Sequence, residues 1–226
     1  MKNLVIVFLM LIAGGVFAQQ SQTRNITPFT GIKVAEGIDV YLKKGDKESV
    51  RVEVTGTQVE NVMTEVSGSY LKVHMKDGNY KGNIDAKVYV TYVRLDKLSA
   101  SSAGNIFSDG AIKATDMEIS ASSAGSIEVG LETETVTVSA SSAAEIELKG
   151  KTKSLSVDAS SAGEVDAYDL EAQKVEADAS SAGSVRVTVV QDLDAHASSG
   201  GNIRYRGSPS KSITDSSSGG SVKKSD

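Results

Sequence analysis

Asp194, His196 and Ser198 place a carboxylate, an imidazole and a hydroxyl at alternate positions of the run Asp194-Ala195-His196-Ala197-Ser198. These are the groups of a nucleophilic triad, in which a base takes the hydroxyl proton and an acid orients the base. The spacing argues against that use. Residues two apart on a strand lie about 6.6–7 Å apart along its axis, so hydrogen-bond contact at both steps is strained. No glycine-rich nucleophile elbow is present. The run reads as the outward side of a polar strand, and no catalytic residue is expected.

A second pattern is a column. Two residues before each of seven serine pairs stand Ser99, Ser120, Ser139, Asp158, Asp178, His196 and Asp215. If these segments stack in register, Asp158 and Asp178 become neighbours about 5 Å apart, and like charges so placed repel. Glu176, Asp194 and Asp166 add negative charge nearby. Asp158, Asp178, His196 and Asp215 are therefore the candidate binding residues of an outward acidic column. A calcium ion on the oxygens of Asp158 and Asp178 would relieve the repulsion; so would solvent, Lys174 or His196. The chain has no cysteine, which excludes disulfides and thiolate metal sites, and no cofactor is expected. Arg186, Arg204 and Lys223 occupy the outward position that Glu128, Glu147 and Asp166 hold in earlier segments. One face thus turns from acidic to basic along the chain, an arrangement open to contacts between copies or to a solvated surface.

These columns exist only if the chain repeats. Ala-Ser-Ser-Ala-Gly, or a close variant, recurs with its first serine at Ser101, Ser122, Ser141, Ser160, Ser180, Ser198 and Ser217, at intervals of 18 to 21 residues. Such a period marks one supersecondary unit stacked on itself. Within a unit, Val136, Val138 and Ala140 alternate with Thr137 and Ser139, the pattern of a strand with one buried face. The same alternation gives Leu155, Val157 and Ala159 inside, then Val175, Ala177 and Ala179. A unit buries four or five aliphatic side chains at roughly 1.5–3 kcal/mol each, less than the ordering of its backbone costs, so units must stack. The expected fold is all-β: a single-stranded parallel β-helix with rungs of about nineteen residues. The second serines (Ser102, Ser123, Ser142, Ser161, Ser181, Ser199 and Ser218) share the inward parity and are expected to form a buried structural ladder. Ala144 interrupts the glycine column, so ordinary dihedrals are expected at that corner. The regular repeats span 99–222; looser coils with longer loops are expected over 24–98, with corners at Gly37, Gly68 and Gly104.

The first 18 residues read as a secretory signal: Lys2, the apolar run Leu4 to Ile12, and Val16-Phe17-Ala18 before the cut. That run is too short for a permanent membrane anchor. The mature chain, 19–226, is expected to form one domain, exported to the periplasm, the outer surface or the medium. Losing Lys2 moves the formal charge from −5 to −6, which argues against nucleic acid and against anionic lipid as main partners. No Trp, 4 Phe and 7 Tyr against 21 Gly suit a thin core rather than a bulky sandwich.

The opening Phe29-x-x-Ile32-x-Val34-x-x-Gly37-x-x-Val40, followed by repeated Ser-Ser-Ala-Gly, resembles the bacterial "putative auto-transporter adhesin head" family, the GIN domain. The resemblance covers about Asn25 to Val222. It implies a right-handed β-helix like that of the pectate lyases, without established catalytic residues. Left-handed hexapeptide helices fit less well, because no six-residue aliphatic period runs through the rungs. The expected role is a non-enzymatic adhesin or envelope-associated binding module for a surface ligand, protein or polysaccharide, with self-association as a further possibility. The alternative is a carbohydrate-active or carbohydrate-binding β-helix, which the scarcity of aromatic residues disfavours.

Overall fold

A computed structural model describes residues 19–80 and 82–225. The signal segment 1–18 lies outside the described residues. Among the described residues sixteen strands belong to one continuous hydrogen-bonded sheet that winds around an aliphatic interior. The regular coils are β9 (Asn105–Ala121), β10 (Ser126–Ala140), β11 (Glu145–Ala159), β12 (Glu164–Ala179) and β13 (Ser184–Ala197). Each follows a corner, runs one arm, bends, and returns along a second arm to the next corner. In β10 the first arm buries Ile127, Val129 and Leu131, the second Val136, Val138 and Ala140, and the bend exposes Glu134 and Thr135. Parallel pairing in register stacks like on like: Ile127 on Ile146, Ile146 on Val165, Val165 on Val185. The fold is the expected all-β solenoid.

The corners differ from the expectation in an instructive way. Ser102, Ser123, Ser142, Ser161, Ser181, Ser199 and Ser218 do form a file, but their side chains are exposed rather than buried. Each has positive φ between 48° and 54°, and the residue after it is also left-handed. Two left-handed residues in succession break the alternation on which the inward parity rests. They also turn the peptide so that one further bond joins the coils at the corner. Along the arms each coil both donates to and accepts from its neighbour, and where an arm begins Ser126 N–H donates to Gly104 O at 3.0 Å. At the corner the earlier coil donates: Ala124 N–H to Ser142 O at 3.0 Å, Ala162 N–H to Ser181 O at 3.1 Å. The serine ladder is structural through its carbonyls. Ala144 leaves this geometry unchanged, since Ser142 and Ala143 keep φ of 54° and 58°, so the expected ordinary dihedrals are absent.

The N-terminal end is built by a chain reversal. Strands β2 (Gly31–Val34) and β3 (Asp39–Lys44) form one coil, and its corner residues Glu36 and Gly37 are again left-handed. That coil lies between β8 (Lys97–Ala100) with β9 on one side and β6 (Tyr70–Met75) with β7 (Asp85–Tyr92) on the other. Three antiparallel strands cover the outer edge: β4 (Ser49–Thr55) on β7, β1 (Gln20–Arg24) on β4, and β5 (Val62–Ser67) on β6. Gly68 therefore belongs to the β5–β6 hairpin and not to the corner file, because Ser67 pairs antiparallel with Tyr70 across it. At the other end β14 (Asn202–Gly207), β15 (Lys211–Ser216) and β16 (Ser221–Lys224) complete the stack. There Ser212, Thr214 and Ser216 take over the positions of Leu193, Ala195 and Ala197, so the interior closes with a polar layer.

Candidate functional site

The second arms form one outer face. Its sheet order is β5-β6-β2-β8-β9-β10-β11-β12-β13-β15, and the pairing aligns Asp158, Asp178, His196 and Asp215 in adjacent strands. His196 Nε2 stands 2.9 Å from Asp194 Oδ1, a close contact outside good hydrogen-bond alignment, and both side chains are about half exposed. His196 has no hydrogen bond to a hydroxyl among the described residues. The neighbouring amides are consumed by the solenoid: Ser198 N–H donates to Ala179 O, Gly200 N–H to Ser218 O and Gly201 N–H to Ser198 O. A hydrolytic triad needs free donors aimed at an oxyanion, and here they are tied into the ladder. The Asp158–Asp178 neighbour pair stands where the repeat put it. Among the described residues no three His, Asp or Glu side chains converge as metal ligands, so the pair lacks a third partner.

The opposite face, made by the first arms, carries a longer column. Cα pairing runs Arg51, Tyr89, Tyr41, Phe107, Glu128, Glu147, Asp166, Arg186, Arg204, Lys223 without interruption. Its last six members are the expected acidic-to-basic gradient. Arg186 Nη1 meets Glu164 at 2.8 Å and Asp166 at 3.0 Å, and the hydrogen bond it donates to Asp166 raises its pKa. Sequence reasoning missed the aromatic members. Tyr41 stacks on Tyr89 at 5.3 Å and on Phe107 at 5.2 Å, with the Arg51 guanidinium 4.2 Å from the Tyr89 centroid. Partial burial and the nearby Asp39 raise the Tyr41 phenol above its ordinary value. The signal was present in part, since Tyr41 and Phe107 both follow a corner phrase at the same outward step. Tyr89 had none, because its place beside Tyr41 comes from the chain reversal. The rings face one another along the ladder and show their edges to solvent, which stabilises the junction but offers no flat platform for a sugar.

A surface concavity of about 1100 Å³ lies beside the bends of β9 and β10. Its charges answer one another: Lys97 to Glu118 at 2.9 Å, Lys113 to Glu132 at 2.8 Å, Arg94 to Asp96 at 3.1 Å. In this concavity Asp96 Oδ1 is buried without a hydrogen-bond partner among the described residues.

The architecture defines the class as a parallel β-solenoid with shallow polar faces. The chain belongs to the family described as "Putative auto-transporter adhesin, head GIN domain", whose model matches residues 28–209. The fold recurs among solved structures. A "putative adhesin" from Bacteroides fragilis has a TM-score of 0.82 at 18% identity, covering 91% of this chain and 96% of that one. A "putative lipid binding protein" from Parabacteroides distasonis has 0.71 at 21% identity, covering 92% and 97%. A "putative adhesin" from Parabacteroides merdae has 0.71 at 19%, covering 92% and 96%. No curated protein matches the chain. Among the described residues no helix is long and apolar enough to cross a membrane.

Proposed function

We propose that this protein is a non-enzymatic, exported β-solenoid that binds a cell-envelope or surface ligand through its outer sheet faces, as an adhesin does. One observation carries the reading. Side chains of the faces stand in parallel files, one per coil, and the corner amides around Ser198 are spent within the backbone. Such a surface suits repeated weak contacts along an extended partner better than turnover of a bound substrate. Family membership and the leader-like first 18 residues support an exported setting. The carbohydrate-active alternative draws no support from the aromatic stack, which presents ring edges. The lipid-binding description of one structural relative gives the second ligand class to examine.

The deciding experiment combines a glycan array, a polysaccharide-degradation screen and co-sedimentation with vesicles, alongside cell fractionation. Binding without depolymerisation is the expected result. Depolymerisation abolished by His196→Ala would overturn the non-enzymatic reading, and recovery of the protein in the cytoplasm would overturn the exported one.

A further inference from the structure

The outward file on the second-arm face reads, strand by strand, Glu65, Lys72, Lys33, Ser99, Ser120, Ser139, Asp158, Asp178, His196, Asp215. Ser120 on β9 is a centre of complementarity. One strand away on either side stand Ser99 and Ser139. Two strands away stand Lys33 and Asp158, three away Lys72 and Asp178, four away Glu65 and His196. Charges of opposite sign occupy the places two and three strands from it.

Each half of the face carries a defect when taken alone. Lys33 pairs with Lys72 across β2 and β6, and Asp158 with Asp178 across β11 and β12, both like-charge neighbours. None of these four side chains has an ion-pair partner among the described residues. In the flanking file of the same face Lys97 and Glu118 answer each other. Lys33 has only the Tyr70 ring, 4.5 Å from its Nζ.

The geometry points to a second copy of this chain as the partner of this face, packed face to face and related by a two-fold axis lying along β9. Such an axis keeps position along the strands and reverses the strand order. Lys33 then faces Asp158 of the second copy, Lys72 faces its Asp178, and both repulsive pairs in each copy are neutralised at once. Small serines at the centre let the faces approach. Glu118, one file over, comes near its own counterpart at the axis, where Lys97 at 2.9 Å already neutralises it. Ten strands about 4.8 Å apart and roughly 20 Å of strand length give a face on the order of 800 Å², the share each partner contributes to an ordinary stable interface. The interface is polar, so its strength falls with added salt.

Sedimentation equilibrium of the mature chain tests the assignment. A dimer that dissociates as sodium chloride rises is expected. The variants Lys33→Glu/Lys72→Glu and Asp158→Lys/Asp178→Lys should each lose at least roughly tenfold in self-affinity, since reversal makes every central contact repulsive. Mixed one to one, they should form a heterodimer, because both sets of contacts are attractive again. Since the chain has no cysteine, Ser120→Cys with a short bis-maleimide should give a linked dimer, and Ser184→Cys on the other face should not. A native chain that stays monomeric at low salt and high concentration would overturn the proposal. So would reversal variants that fold, stay apart alone and fail to associate when mixed.

Discussion

A methyl group added at Gly183 would stand 2.2 Å from the carbonyl oxygen of Ala159, one coil below. The same approach recurs at Gly163 and Gly201, so this place in the corner is reserved by contact rather than by dihedral freedom. Ala144 occupies it once, and its corner bond to Ser141 O is 3.2 Å against 2.7 Å at Gly183. Gly183→Ala should therefore lower stability by about 2–3 kcal/mol through overpacking. Ala144→Gly should stay within about 1 kcal/mol, tightening the corner while freeing the unfolded chain. Urea unfolding of both variants checks the pair.

Exposure of the second serines makes an opposite forecast to burial. Ser161→Ala should change stability by less than about 0.5 kcal/mol, as exposed sites do. Ala162→Gly should raise it by about 1 kcal/mol, because glycine relieves a left-handed residue at φ 61°. Denaturation midpoints measure both, and a loss of several kcal/mol in Ser161→Ala would mean that the hydroxyl is buried.

What could be read from the chain beforehand divides along physical lines. Ile127, Ile146, Val165 and Val185 declare their file because burial imposes a period of two on each arm and the repeat copies it. The Asp158–Asp178 neighbourhood follows from the same two facts. Ser142 misleads because a left-handed pair resets the alternation, and nothing in the residue types Ser-Ala announces positive φ. Gly68 misleads because glycine serves a hairpin as well as a corner. The stack of Tyr89 on Tyr41 depends on which coil lies beside which, a property of topology that no local window contains.

The aromatic stack should be worth its packing. Tyr41→Ser removes the middle ring, and a loss of about 1–2 kcal/mol is expected beyond that of Tyr205→Ser. Near-ultraviolet circular dichroism should weaken along with it. Retention of the full signal would mean that the rings do not hold one another in solution.

Acid should weaken the Glu132 cluster. The hydrogen bond and charge of Lys113, with Lys151 nearby, hold the Glu132 carboxyl below its ordinary value. A depressed carboxyl stabilises the fold above its unfolded pKa, and that contribution fades as pH falls through the folded value. Glu132→Gln should thus be less stable than the parent at neutral pH, with the gap closing under acid. Melting curves from pH 7 down to pH 3 read this out, and a gap that widens on acidification would contradict it.

Calcium should leave the melting temperature where it is. Asp158 and Asp178 converge with no third carboxylate or imidazole among the described residues, and an oxygen-liganded calcium site takes about six to eight donors. A rise with calcium that chelator reverses would show otherwise.

The hydrogen bonds at the corners also bear on how the molecule assembles. Arm amides of one coil look alternately to both neighbours, and the corner amide of Ala124 looks ahead to Ser142. Each added turn therefore finishes its predecessor while leaving demands of its own open. Growth is coupled in both directions, and an interruption anywhere leaves an unanswered donor at the break.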